Sequence, residues 1–370
     1  MAIALLTNYL TDYRVPLFER LAERDRVEVL CFGGDARYVP SWFGDLDAQL
    51  ERATFPARRI RGPREAFDAG RSYEAVIAPY AGGAILPSAY AGARRHRRPF
   101  ILWASVWARP RTPAHLLSRP ITDRIYRHAD AVVAYGEHVR RFVASIRGHD
   151  DDVFIAPQSV EGELFGRSVA TGEIAAFRSL FGLPDGPLAL YVGRLVKAKG
   201  VDVLLAAWGR VRAGATLVAI GEGPLAERAR GTPGVRLVDP LPREQLPVAY
   251  AAAELALLPS VPTPRFLEPW GLVTNESMHQ GRPVIATDAV GAAAGGLVRD
   301  RETGLVVPAG DAGALAAAIT LLLEDAPLRT RLGEAAKLAV SAYTYDAMAG
   351  AFERALASAG TARAPAARSS

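Results

Sequence analysis

Residues 188–200 read Leu-Ala-Leu-Tyr-Val-Gly-Arg-Leu-Val-Lys-Ala-Lys-Gly, and an apolar, helix-patterned run continues over 201–211. Leu188–Val192 is a short continuous apolar run closed by Gly193, which is the pattern of a buried strand, and the segment after Gly200 has helical spacing. The stretch is therefore the first strand–turn–helix unit of a parallel sheet. Working outward, the same alternation recurs: strands are expected at Thr216–Ile220, Val235–Val238, Leu255–Leu258, Pro283–Ala286 and Gly304–Val307. Helices are expected at Val201–Val211, Arg243–Ala252, Asn275–Gln280, Ala312–Glu324 and Leu328–Ser341. Towards the N-terminus a second series appears, with strands at Ile3–Leu6, Val27–Cys31, Ala75–Ala78, Phe100–Trp103, Ala131–Tyr135 and Val153–Ala156, and helices such as Pro16–Arg24 and Ile121–Arg127.

Alternating strands and helices imply an α/β fold with parallel sheets covered by helices, and the 370 residues suit two doubly wound, Rossmann-like domains. The sequence places the first at 1–168, a Gly/Pro-containing linker with one short helix at 169–187 and the second at 188–345. One more helix is expected over 346–358, packing back on the first domain, followed by an Ala/Arg/Pro/Ser-rich tail at 359–370 with the composition of a disordered segment. In such folds ligands bind beyond the carboxyl ends of the strands, although the fold alone names no ligand.

Half of the residues are apolar and 22% charged, as in an ordinary globular protein, and no apolar run is long enough to span a membrane. Residues 2–6 read as a first strand with no basic stretch before them, so no signal peptide is expected. Cys31 is the only cysteine, which excludes an internal disulfide and a cysteine-rich zinc site and fits a cytoplasmic location. Between Arg52 and Arg147 stand 18 arginines against 6 acidic residues, an excess of +12, concentrated at Arg58/Arg59/Arg61/Arg64 and Arg94/Arg95/Arg97/Arg98. Two readings are open: a solvated arginine-rich surface, or attraction to an anionic partner such as a membrane face or a phosphorylated substrate. Nucleic acid is not expected, because no stacking aromatics interleave with the arginines.

The turn after Val192 holds Gly193, Arg194, Lys197 and Lys199, and the chain has only three lysines. A glycine with fixed and mobile positive charge at a strand-to-helix turn suits a phosphate, and taken alone these residues equally describe a solvated loop. A second constellation spans 266–286. After Glu268, the loop passes Pro269, Trp270 and Gly271, and a helix starting near Thr274 puts Glu276 in its first turn before Gly281 stops it. A helix start seats a phosphate, and carboxylates nearby can accept hydrogen bonds from vicinal sugar hydroxyls. Two carboxylates flanking a diphosphate suit a nucleotide sugar, with Arg194 and Lys199 offsetting the charge of the leaving group.

From Gly193 to about Leu332 the sequence resembles the donor half of the retaining glycosyltransferases of family 4, which have the two-Rossmann-domain GT-B architecture. The resemblance rests on Gly-Arg-Leu-x-x-x-Lys-Gly at 193–200, Gly-x-Gly-Pro at 221–224, Pro-Ser at 259–260, Glu268 followed by seven residues and Glu276, Gly-x-Pro-Val at 281–284 and Thr-Gly-Leu-Val-Val-Pro-Ala-Gly-Asp at 303–311. It implies that Arg194 and Lys199 contact the diphosphate, Glu276 the ribose, and Glu268 the transferred sugar. Gly193 and the backbone of Trp270, Gly271, Leu272 and Val273 would surround the phosphates, and the base would lie near Pro240-Leu241. It further implies front-face displacement, with the leaving phosphate helping to deprotonate the acceptor hydroxyl, no metal and no cofactor beyond the nucleotide-sugar co-substrate. The expected partners are thus a UDP- or GDP-sugar and an acceptor that is a small molecule, a lipid-linked glycan or a polysaccharide.

At the other end the match weakens. Asp12 and Arg14, beyond the first strand, resemble the opening of family members with a tyrosine–arginine pair there; either could reach a ligand, and Asp12 could equally serve the helix start. Where many members have a histidine after the fourth strand, this chain has Trp103-Ala104-Ser105-Val106-Trp107. Ser105 and backbone are the candidates for that role, and His115 reads as a surface helix residue. Gly221-x-Gly223-x-x-Ala226 imitates a dinucleotide fingerprint but lies at the second turn of its domain. Asp45-Leu46-Asp47 imitates a metal-binding pair but follows no buried strand. Rival functions are a glycosyl phosphorylase or sugar-nucleotide epimerase on the same fold, or a non-catalytic sugar-nucleotide binder.

Overall fold

The computed structural model describes residues 2–33, 45–211 and 214–361. They form two compact units, one running to Pro157 and completed by the helix from Tyr345, the other spanning Gln158–Thr344.

The first unit contains, in order, β1 (Ile3–Thr7), α1 (Val15–Asp25), β2 (Val27–Cys31), α2 (Leu46–Glu51), β3 (Ala57–Arg59), α3 (Pro63–Ser72), β4 (Val76–Pro79), α4 (Ile85–Arg95), β5 (Phe100–Ala104), α5 (Pro113–His128), β6 (Ala131–Ala134), α6 (Glu137–Arg147) and β7 (Val153–Ile155). Its seven strands are ordered β3-β2-β1-β4-β5-β6-β7, all parallel. Parallel strands carry helices on both faces and so are apolar throughout: Phe100-Ile101-Leu102-Trp103-Ala104 is buried at every position. The second unit continues with α7 (Gly162–Phe165), α8 (Thr171–Leu180), β8 (Leu188–Val192), α9 (Val201–Trp208), β9 (Thr216–Ile220), α10 (Ala226–Arg230), β10 (Val235–Val238), α11 (Leu246–Ala252), β11 (Leu255–Leu258), α12 (Val273–His279), β12 (Val284–Thr287), α13 (Gly291–Ala294), β13 (Gly304–Val307), α14 (Ala312–Glu324) and α15 (Ala326–Val340). Its strands are ordered β10-β9-β8-β11-β12-β13, again parallel. The last helix, α16 (Tyr345–Thr361), packs on α1 and on β5–β7 of the first unit, its Phe352 ring meeting Trp103 edge-on at 5.2 Å.

Several boundaries differ from the sequence reading. The units divide at Pro157/Gln158 rather than at 168/169, because the chain is already tied to the second unit from Gln158 on. Its carbonyl accepts from Asn275 Nδ2 at 2.8 Å, and Gln280 Nε2 donates to the carbonyls of Phe165 and Arg167. The short helix expected within the linker 169–187 is α8, which buries Phe177, packs on α11 and sends Arg178 to the Ala252 carbonyl. The helix expected at Ile121–Arg127 begins eight residues earlier, capped by Thr112 and running through Pro120. Strand β3 was not anticipated at all: Arg58 and Arg59 occupy an edge strand, where charge is tolerated. The final helix extends through Thr361, so three residues of the expected tail are helical, and 362–370 lie outside the described residues.

Candidate functional site

In the second unit the strand order reverses between β8 and β11, so the chain leaves these two adjacent strands in opposite directions. Such a switch point opens a crevice at the carboxyl ends. The loops that leave there are 193–200 and 259–272, and topology alone brings the two sequence motifs side by side. They touch directly: Val261 N donates to the Ala198 carbonyl at 3.0 Å. Gly200 makes that approach possible. Its φ is +71°, and a Cβ there would stand 1.7 Å from the Pro259 carbonyl oxygen.

This close approach delivers Lys199 to Glu268. The ammonium and carboxylate form an ion pair, and Ser260 Oγ donates to the same carboxylate oxygen at 2.9 Å. Glu268 is 5% exposed, so the pairing replaces the hydration it has lost. Lys199 Nζ also stands 5.4 Å from the centre of the Phe266 ring. The Glu268 segment is pinned from behind, since Gly291 N donates to the Glu268 carbonyl at 3.0 Å and Ala292 N to that of Trp270 at 2.9 Å. The Trp270 side chain is buried, donating to Asn275 Oδ1 at 2.8 Å and stacking on Tyr343, so what it offers a ligand is backbone. Gly271, Leu272 and Val273 follow as half-buried residues leading into α12.

Glu276, in the first turn of α12, accepts a hydrogen bond from Tyr250 Oη at 2.6 Å. Burial raises its carboxyl above the usual range, against the opposing pull of that hydrogen bond and of the Arg243 charge. Arg243 sits in the short 3₁₀ turn Arg243–Gln245, just past half-buried Leu241, and is itself paired with Glu161 at 3.1 Å. Arg194 is exposed and makes no ion pair among the described residues; its carbonyl accepts from buried Tyr191 Oη at 2.7 Å. The Gly221/Gly223 turn has a scaffolding role beneath this loop. A Cβ on Gly221 would meet the Gly193 carbonyl at 2.0 Å, and Leu195 N donates to the Glu222 carbonyl at 2.7 Å.

The structure thus gathers Gly193, Arg194, Lys199, Glu268, Trp270–Val273 and Glu276 about the β8/β11 switch, with Leu241 on the turn that carries Arg243. Sequence reasoning gave no role to Ser260, Tyr250, Arg243 or Phe266. Tyr250 and Arg243 fall inside an expected helix, and only their types among apolar neighbours set them apart.

The first unit has its own switch, between β1 and β4. A cavity of about 300 Å³ opens there, lined among others by Thr11, Arg14, Tyr80, Trp103, Ser105 and Tyr135. The Arg14 guanidinium lies 4.2 Å from the Trp103 ring centre and donates to Tyr135 Oη. Two buried donors at this cavity, the Trp103 indole N–H and the Thr11 hydroxyl, have no hydrogen-bond partner among the described residues. Asp12 is exposed, does not line the cavity and does not cap α1. Of the first-domain candidates, the structure therefore brings together Arg14 and Ser105 but not Asp12. His115 lies on α5 with Nδ1 2.6 Å from Thr112 Oγ1. Asp45 caps α2 and Asp47 pairs with Arg59, while Trp42 and Phe43 lie outside the described residues. No cluster of three His, Cys, Asp or Glu side chains with metal-site geometry occurs among the described residues.

Two parallel α/β units, each with side chains converging on its switch point, define a two-domain Rossmann-like protein. Residues 186–325 match the family model described as glycosyl transferases group 1. The alpha-D-kanosaminyltransferase of Streptomyces kanamyceticus is 35% identical over 184 residues, 47% of this chain and 46% of that protein. The D-inositol 3-phosphate glycosyltransferase of Xylanimonas cellulosilytica is 31% identical over 247 residues, 62% and 57% respectively. The chain thus spans about half the length of the curated relatives it matches. Among solved structures, Anabaena HepE in complex with UDP and glucose superposes with a TM-score of 0.77 at 18% identity, over 97% of this chain and 100% of that one. Sucrose-phosphate synthase from Thermosynechococcus elongatus does so with 0.71 at 22% identity, over 98% and 100%. The fold is that of the GT-B glycosyltransferases.

Proposed function

We propose that this chain is a retaining, metal-independent glycosyltransferase that moves a hexose-type sugar from a UDP- or GDP-sugar to an acceptor hydroxyl. The observation that carries this reading is the pairing of Glu268 with Lys199 and Ser260 next to Glu276 with Tyr250, all at one switch point. Phosphate needs cations and sugar hydroxyls need carboxylates; this crevice offers both, already oriented. In this reading Glu276 accepts from the ribose hydroxyls and Glu268 from the transferred sugar. Lys199, held by Glu268, and Arg194, free to swing in, neutralise charge as it collects on the departing diphosphate. The acceptor hydroxyl attacks from the side the diphosphate leaves, passing its proton to a phosphate oxygen. UDP is favoured by the HepE complex, in which the related fold holds UDP and glucose.

The acceptor is assigned to the first-unit cavity, whose volume fits one hydroxylated ring, free or as a headgroup. Arg14, Trp103, Thr11 and Ser105 supply donors there, and a relative is named for D-inositol 3-phosphate, whose ring is polyhydroxylated. The test is to incubate the protein with UDP-glucose, GDP-mannose and related donors in EDTA against cyclitols and amino sugars. Diphosphate release and the anomeric proton coupling of the product are then followed. Release that requires acceptor, persists in EDTA and yields the donor's own anomer supports the proposal. Sugar 1-phosphate as product, or epimerised donor without acceptor, would replace it with one of the rival reactions.

A further inference from the structure

Of the eight arginines in the two groups conspicuous in the sequence, three are ion-paired once folded. Arg58 pairs with Glu28 and Glu65, Arg59 with Asp47, and Arg94 with Asp130. Exposed arginines stand beside exposed aliphatic side chains on α5. Its inward face buries Asp123, Ile125 and Tyr126. Its outward face shows Leu116, Leu117 and Ile121 at 61%, 85% and 54% exposure, three of the five large hydrophobic side chains exposed among the described residues. Leu117, Ile121 and Arg124 follow at positions i, i+4 and i+7, with Leu116 and Pro120 one position behind the first two and Arg127 three positions beyond Arg124, so one helical stripe joins apolar and cationic groups. Arg111, Arg124 and Arg127 are exposed and take part in no ion pair among the described residues.

We infer that α5 is a membrane-docking helix that lies in the interface of an anionic bilayer, its leucines and isoleucine among the acyl chains and its arginines on the headgroups. Exposed aliphatic side chains gathered on one stripe call for a cover, and arginines flanking them select a negatively charged one. A second copy of the same face would bring Arg111, Arg124 and Arg127 against themselves, which opposes a two-fold pairing. No helix among the described residues is long and apolar enough to cross a membrane, so the contact is interfacial. It is independent of the proposed reaction; the loop 105–112 joins Ser105 at the cavity to α5.

The test is co-sedimentation of the full chain with phosphatidylcholine vesicles containing none or about 30 mol% phosphatidylglycerol, at low and high salt. Binding is expected only with phosphatidylglycerol and is expected to weaken with salt. Leu117→Glu with Ile121→Glu is expected to lower affinity more than tenfold. Arg111→Gln with Arg124→Gln should lower it about fivefold per charge removed. Leu180→Glu with Leu338→Glu, which changes the exposed leucines of the second unit, should leave it unaltered. Thermal midpoints of all variants keep folding defects separate from binding defects. No binding to anionic vesicles, or α5 variants that bind like the wild type, would overturn the inference. So would a concentration-dependent dimer that the Leu117/Ile121 variant abolishes, since the face would then belong to a second copy.

Discussion

The two switch points solve the problem of holding a cation in opposite ways. In the second unit Lys199 meets an acid: Glu268 and Ser260 close an ion-paired, hydrogen-bonded cluster. In the first unit Arg14 meets rings, lying over Trp103 and bonded to Tyr135, with no carboxylate among the described residues that line the cavity. An acid-paired cation is positioned before any ligand arrives, and its loss strands a buried opposite charge. A cation held by aromatic faces keeps its charge uncancelled for a ligand, and its loss leaves no buried opposite charge, only the Tyr135 hydroxyl without this donor.

The largest difference should appear on neutralising each cation. Lys199→Met takes away the cation that faces buried Glu268, which should cost about 3–5 kcal/mol of stability by chemical denaturation. The same variant should lower kcat about 10²–10³-fold. Adding Glu268→Gln should return most of the stability but none of the turnover. Arg14→Met should cost only about 1–2 kcal/mol and leave nucleotide affinity unchanged, while raising the acceptor KM about tenfold or more. Equal stability losses at the two positions would erase the distinction drawn here.

Gly200→Ala probes how the acid-paired site is assembled. A Cβ at φ +71° and 1.7 Å from the Pro259 carbonyl forces the two loops apart, so a loss of about 1–3 kcal/mol is expected, with nucleotide affinity falling alongside. Differential scanning calorimetry and nucleotide titration check both.

The smallest effect concerns pH. Glu276 has its carboxyl raised above 4.5, chiefly by burial, and ribose hydroxyls are bound by the carboxylate form. Nucleotide affinity should therefore fall on acidification from a higher pH than for an exposed glutamate. Because the folded value is raised, the stability due to neutral Glu276 is complete below about 4.5 and is lost as pH rises through the folded value. Glu276→Gln should remove both dependences. Tyr250→Phe deletes a hydrogen bond that favours the carboxylate, so the loss of affinity should move to still higher pH.

Legibility follows the same division. Strands buried on both faces, such as Leu188–Val192 and Phe100–Ala104, are uninterrupted apolar runs and stand out from sequence. Edge strand β3 does not, because Arg58 and Arg59 carry no apolar signal. The start of α5 was hidden by Pro113 and Pro120 and by leucines that face outward. The Lys199 and Glu268 loops were readable because charge and glycine at strand ends serve local chemistry. The Tyr250–Glu276 bond, the Arg14–Trp103 stack and the Pro157/Gln158 division arise from residues brought together over long sequence separations, which no local pattern records.

The central claim is that the β8/β11 switch point of the second unit binds a nucleotide diphosphate through Glu276. It is tested most directly by calorimetric titration of UDP, then GDP, into wild type and Glu276→Ala in EDTA. One diphosphate should bind the wild type with one-to-one stoichiometry and lose about two orders of magnitude in affinity in the variant. No binding of either diphosphate, or equal affinity in both proteins, would contradict it.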